Sequence, residues 1–302
     1  MIEVDSNKRD FKSQIPNYIE RIEGYINEVL PPTTNAPSKL HEAMRYATLS
    51  SGKRIRPLLM YASGQCLKVP LRKLDAPAAA IELIHAFSLV HDDLPAMDDD
   101  RLRRGNPTLH IKFGEAIAIL AADALQPLAF ETISKDKNLN STETRALINL
   151  IAKSCGSLGM TGGQALDLGF EGKKIDKQTL TKMYHMKTGA LITASITAAI
   201  CLVNNIDNKK TIAITKFSEE IGLAFQIRDD ILDLEGETHI LGKEVGSDKA
   251  KLKATWPALF GIEESIKNCK LLCDSAIKNL SIFGNEADGL RMLGNIIIGR
   301  NS

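Results

Sequence analysis

Residues 80–105 read AIELIHAFSLVHDDLPAMDDDRLRRG, and the fold turns on how this stretch is read. Its first half is apolar at most positions and has the length of a helix, which predicts a helix over 76–93. Its second half carries five aspartates in the nine residues 92–100, then arginines at 101, 103 and 104. Acids this dense at the end of a hydrophobic helix, with cations directly behind them, call for a chemical reason.

Working outward, segment after segment has helical periodicity. Residues 11–30 place Ile15, Ile19, Ile22, Ile26, Val29 and Leu30 on one face, and PPTTNAP stops the run. A second helix over 38–50 leads into Ser51-Gly52. A third over 57–67 takes Pro57 in its first turn, which leaves GKRIR as a short basic junction. Further helices are expected over 114–134, 141–160, 177–203, 208–234 and 263–280, with Gly/Asn/Asp-rich breaks between them. No stretch alternates like a strand, and no linker or shift in composition divides the chain. The expectation is an all-α protein with 1–302 forming a single domain.

Composition narrows the function. A formal net charge of +1 provides no global field to draw nucleic acid or a membrane surface, so local clusters must do the electrostatic work. The cysteines (66, 155, 201, 269 and 273) form no CxxC pair and read as thiols of a reducing cytosol. The beginning, MIEVDSNKRD, lacks an apolar signal region. ALITASITAAICLV, 190–203, is too short and too rich in Thr and Ser to span a bilayer and reads as a core helix. A cytoplasmic protein with no membrane insertion and no nucleic-acid partner is expected.

The acids come in two sets. In DDILD, Asp229 and Asp233 are four apart and Asp230 and Asp233 three apart, so a helix gathers them into one patch whose repulsion asks for a cation. Asp92 and Asp98 are six apart and converge only if the chain leaves helical geometry, for which Pro95 supplies the break. Each set ends a long apolar helix, so the two can face each other across a bundle. Carboxylates without nearby His or Cys suit hard cations such as Mg²⁺, which binds through one or two carboxylates plus substrate phosphates. Lys53, Arg56, Arg103 and Arg104 then read as phosphate-binding cations. Together they describe a site for two polyanionic groups.

These motifs resemble the trans-isoprenyl diphosphate synthases, and within them the bacterial short-chain farnesyl enzymes. The likeness runs over nearly the whole chain, through SGKRIRPLL, the stretch quoted above, FGEAIAILAADAL, GMTGGQALDL, HMKTGALI, IGLAFQIRDDILD and LGKEVGSDKAKLKATWPAL to IIIGRN. It implies the isoprenoid synthase fold, a helical bundle around a central cavity. It also implies three Mg²⁺ ions per site, held by Asp92, Asp93, Asp98, Asp229, Asp230 and Asp233. The allylic diphosphate would lie on Arg103, Lys187 and Lys243, with Lys253 also on diphosphate. Isopentenyl diphosphate would lie on Lys53, Arg56, His85 and Arg104. Catalytic roles fall on Lys187, with Thr188 and Gln226 near a developing carbocation, and a homodimer is implied. Arg101 and Arg228 depart from the acidic or neutral residues of close relatives, and Leu252 from a glycine.

The activity that follows is head-to-tail condensation of isopentenyl diphosphate with dimethylallyl and geranyl diphosphate. Ser88, one turn before Asp92, lies on the same face and about 6 Å lower. Phe87 is about 140° round an ideal helix from Asp92, so spacing does not place it against a growing chain. The resemblance does, and implies farnesyl diphosphate as the main product, with geranylgeranyl diphosphate the alternative. A terpene cyclase would carry a different second motif, and a non-catalytic prenyltransferase subunit would have lost its acids.

Overall fold

A computed structural model describes residues 10–50, 52–235 and 253–299. Among them the chain is helical almost throughout, and the only strands are two residues each. The helices α1 (Phe11–Val29), α2 (Ser38–Leu49), α3 (Ile55–Cys66) and α4 (Asp75–Asp92) come first. A hairpin follows, β1 (Leu102–Arg103) with β2 (Asn106–Pro107). Then come α5 (Leu109–Phe113), α6 (Glu115–Lys135), α7 (Ser141–Cys155), α8 (Met160–Phe170) and α9 (Lys177–Tyr184). One π-helical turn, His185–Gly189, joins α9 to α10 (Ala190–Thr197). The described chain closes with α11 (Asn208–Glu235), α12 (Trp256–Phe260), α13 (Ile262–Asn279) and α14 (Asp288–Gly299).

The quoted stretch forms the centre. In α4, Ala76, Ala78, Ala79, Ala80, Ile81, Leu83 and Ile84 are inaccessible to solvent. A helix apolar nearly all round belongs inside a bundle, and its small alanines let α3 and α6 approach closely. Burial of an Ile or Leu side chain of this kind stabilises by roughly 1.5–3 kcal/mol. The main core draws on α1 to α4, α6, α7, α10, α11 and α14. A smaller cluster of Leu180, Met183, Tyr184, Ile227, Ile231 and Trp256 joins α9, α11 and α12.

Four helices were not expected from the sequence. The run expected over 141–160 stops at Cys155, and MTGGQALDLGF forms the separate α8. Helices α5, α12 and α14 are also additional. Helix α3 starts two residues before the expected 57, with Pro57 inside its first turn, where a missing N–H costs nothing. The apolar run at 190–203 continues a helical stretch from Lys177 to Leu202. By length and composition that stretch and α6 could each cross a membrane. Both are built into the core, α6 burying Ala118, Ala121, Ala122, Leu125 and Ala129 completely. None of the five cysteines forms a disulfide.

Candidate active site

Helix α4 ends at Asp92, and the chain then turns back on itself at Pro95. The Asp98 amide donates to the Asp92 carbonyl at 2.8 Å, and the Asp99 amide to Leu94 O at 3.1 Å. This break brings Asp92 and Asp98 to one wall of a cavity of about 1070 Å³. Asp229 and Asp233, on α11, line the same cavity, so the two acidic motifs do face each other.

Two expected ligands are not on that wall. Asp93 is 3% exposed and accepts from Arg103 Nε at 2.8 Å and Arg103 Nη2 at 2.5 Å. Burial pushes its pKa up to about 6, with the Arg103 charge pulling the other way. Asp230 is also 3% exposed. It accepts from Gln226 Nε2 at 2.9 Å, from the Trp256 amide at 3.0 Å and from the Tyr184 hydroxyl. What turns Asp230 away is its partners: Tyr184, Gln226 and the Trp256 amide hold it behind the wall that Asp229 and Asp233 line. The single patch expected of DDILD is therefore split, Asp229 and Asp233 on the wall and Asp230 behind it.

Asp230 has its own effect on the site. It takes the NH₂ end of the Gln226 amide, which leaves Gln226 Oε1 to accept from the Thr188 hydroxyl. Thr188 and Gln226 both line the cavity, so the polar oxygens expected there are held in place. Thr188 and Lys187 sit on the π-helical turn, a widened turn often found at functional sites. Glycines let two neighbours close on that turn. A Cβ on Gly163 of α8 would lie 2.6 Å from the Met186 carbonyl carbon and nearer still to the Lys187 backbone. A Cβ on Gly222 of α11 would meet Gly189 Cα at 2.9 Å.

The cations fall into two groups. Burial and the charges of Arg56 and Arg104 drive the His85 pKa well below its usual value, so the imidazole is neutral and lies beside those arginines. Lys53, Arg56, His85 and Arg104 all line the cavity. Arg104 and Gly105 are the central pair of the hairpin, with φ of 53° and 76°. Positive φ at both positions is what a two-residue loop of this twist requires. Arg104 then lies against Gly52, where a Cβ would sit 2.5 Å from Nη1.

The second group surrounds the acids. Burial raises the Asp92 pKa, opposed by Lys187, Arg103 and Lys253 and reinforced by Asp98. Lys253 Nζ lies 2.8 Å from Asp98, and Lys187 Nζ lies 2.5 Å from Asp167. Burial would lower the Lys187 pKa, but Asp167 and Asp92 outweigh it and keep the ammonium charged. Asp167, 3.7 Å from Lys253 as well, is not among the residues expected from the sequence. It lies in GMTGGQALDL, a stretch of the family resemblance for which no residue role was expected. Lys243 lies outside the described residues. Arg101 and Arg228 do not line the cavity.

Apolar and small residues share the lining. Phe87 and Ser88 of α4 both reach it, as do Met97, Leu89, Met160 and Leu168. Helical spacing leaves Phe87 off the wall, and the structure puts it on. The Phe87 ring, 9% exposed, meets the His91 ring edge-on with centroids 4.7 Å apart.

Among the described residues no three His, Cys, Asp or Glu groups converge into a ready-made metal cage. Facing carboxylate pairs with no soft donor instead match a cation that completes its shell with phosphate oxygens and water.

Comparison with known proteins identifies the family and the fold. The polyprenyl synthetase family model matches residues 37–281. The farnesyl diphosphate synthase of Escherichia coli (strain K12) is 44% identical over 298 residues, 97% of this chain and 99% of that protein. A geranyltransferase of Legionella pneumophila superposes with a TM-score of 0.87 at 33% identity, covering 96% of this chain and 97% of that one. The geranyltransferase of Helicobacter pylori complexed with magnesium and isoprenyl diphosphate gives 0.86 at 29% identity, covering 98% and 100%.

Proposed function

Because the chain belongs to the polyprenyl synthetase family and is a prenyltransferase, we propose that it condenses isopentenyl diphosphate head-to-tail with dimethylallyl and then geranyl diphosphate, releasing mainly (E,E)-farnesyl diphosphate. The observation that carries this reading is the meeting, in one cavity, of two facing carboxylate pairs, two groups of cations and an apolar lining. Residues 1–302 act as one domain, in the cytoplasm. Two copies assemble into a homodimer.

Asp92, Asp98, Asp229 and Asp233 would hold the magnesium ions, three per site, which supply positive charge to the departing diphosphate. Arg103, Lys187, Lys243 and Lys253 grip the same diphosphate. Lys53, Arg56, neutral His85 and Arg104 hold isopentenyl diphosphate at the other end. Breaking the allylic C–O bond leaves a delocalised carbocation. The oxygens of Thr188 and Gln226, oriented by Asp230, face that charge. The C3–C4 double bond of isopentenyl diphosphate attacks it, and the C2 proton passes to the released diphosphate. Apolar walls exclude the water that would quench the cation.

The test is to incubate the pure protein with Mg²⁺, isopentenyl diphosphate and a C5 or C10 allylic diphosphate, then analyse the products. Linear C15 diphosphate is expected, whereas cyclic hydrocarbon or no turnover would overturn the reading. Chain length should respond to Phe87, whose ring blocks extension while Ser88 leaves room beside it. Phe87→Ala should shift the product to C20 or longer, read by chromatography of the dephosphorylated alcohols. Unchanged C15 would place the floor elsewhere.

A further inference from the structure

Between Lys53 and Arg56, and like them on the cavity wall, stands a third cation, one committed to groups of the protein itself. Arg54 is 3% exposed. Its guanidinium donates to Glu82 Oε1 at 2.8 Å, to Glu23 Oε1 at 3.1 Å, and to the carbonyls of Thr48 and Ser50 at 3.0 and 3.2 Å. Its backbone is left-handed, with φ 48° and ψ 37°, a conformation that a non-glycine residue keeps only where its surroundings impose it. From that strained N-cap the chain enters α3, so Arg54 sets the direction in which Lys53 and Arg56 leave the junction.

Its partner is in an awkward place. Glu82 lies on α4 one turn before His85, is 4% exposed, and forms part of the cavity lining among the cations of that end. Its charge also acts on Arg104, whose pKa burial lowers and Glu82 raises. A bare carboxylate in the wall of an anion site repels the anion and competes for the cations meant to receive it. Removing one partner of a buried ion pair leaves just such an uncompensated charge.

We infer that Arg54 is a positioning residue of the isopentenyl diphosphate subsite: by pairing with Glu82 it withdraws that carboxylate from competition for Arg56 and Arg104 and fixes the junction that aims Lys53 and Arg56. The inference rests on the reading of this end of the cavity given under Proposed function. It separates the cations of GKRIR into two that receive substrate and one that neutralises an acid of the protein.

The experiment uses the full-length protein and steady-state kinetics with isopentenyl and geranyl diphosphate, each varied against a saturating partner. Arg54→Met should raise the KM for isopentenyl diphosphate at least about tenfold and leave that for geranyl diphosphate within about twofold. Adding Glu82→Gln should lower the isopentenyl KM of Arg54→Met at least about threefold, because the competing charge is gone, the remaining rise reflecting the junction that Arg54 no longer fixes. Equal rises in both KM values, or a double variant no better than the single one, would overturn the inference. Should Arg54→Met fail to fold, Glu82→Gln alone decides. It should leave the isopentenyl KM at or below the wild-type value, and a rise of about tenfold would overturn the inference. If wild type fails to condense the two substrates, the functional reading itself falls. If wild type turns over and the two KM values move together, only the role of Arg54 falls.

Discussion

Gly163→Ala is expected to lower kcat about 100-fold while the protein still folds, because the added methyl has only backbone to displace. The new Cβ would lie 2.6 Å from the Met186 carbonyl carbon and closer to the Lys187 backbone. No flexible side chain is available to move aside, so α8 must retreat from the π-helical turn or the turn must shift. Overpacking of this kind costs roughly 1–3 kcal/mol of stability. The larger consequence is geometric. Lys187 and Thr188 ride on that turn, and a displacement of about 1 Å at a reacting centre can cost on the order of 10²-fold in rate. Asp167, on the same helix as Gly163, would be drawn away from Lys187 as well. Steady-state kinetics together with a thermal melt check the result. A variant with wild-type kcat would show that the close approach of α8 has no bearing on the chemistry.

Asp229→Ala is expected to reduce kcat by on the order of 10²–10³-fold, the usual consequence of removing one group that stabilises transition-state charge. Asp229 is half-buried on the cavity wall, so its loss should leave the helical fold and the melting temperature near wild type. Asp230→Ala offers a contrast. That carboxylate accepts from Tyr184, Gln226 and the Trp256 amide, and removing it leaves the buried Tyr184 hydroxyl without its acceptor, at roughly 1–3 kcal/mol. A clear loss of melting temperature is therefore expected for Asp230→Ala and not for Asp229→Ala, measured side by side by circular dichroism. Near-normal turnover of Asp229→Ala in Mg²⁺ would remove the second acidic motif from the metal site. A matching loss of stability in both variants would show that the two acids share one environment.

Much of this site is legible in the amino-acid sequence. Helical period, Pro and Gly breaks and the absence of alternating strands specify an all-α chain, since these are properties of neighbours three or four residues apart. The two acidic motifs and the basic junction are visible for the same reason, and Pro95 marks where the chain must leave α4 for Asp92 and Asp98 to converge. What spacing does not contain is the direction each helix turns toward its neighbours. That direction puts Phe87 on the cavity wall, sends Asp93 to Arg103 and Asp230 to Tyr184, and makes Arg54 a counter-ion to Glu82. Helix α8 is hidden in the sequence because its glycines weaken a helix by about 1 kcal/mol each when considered alone. Only the packed bundle reverses that balance, since the missing side chains let two backbones meet where Lys187 and Thr188 must stand.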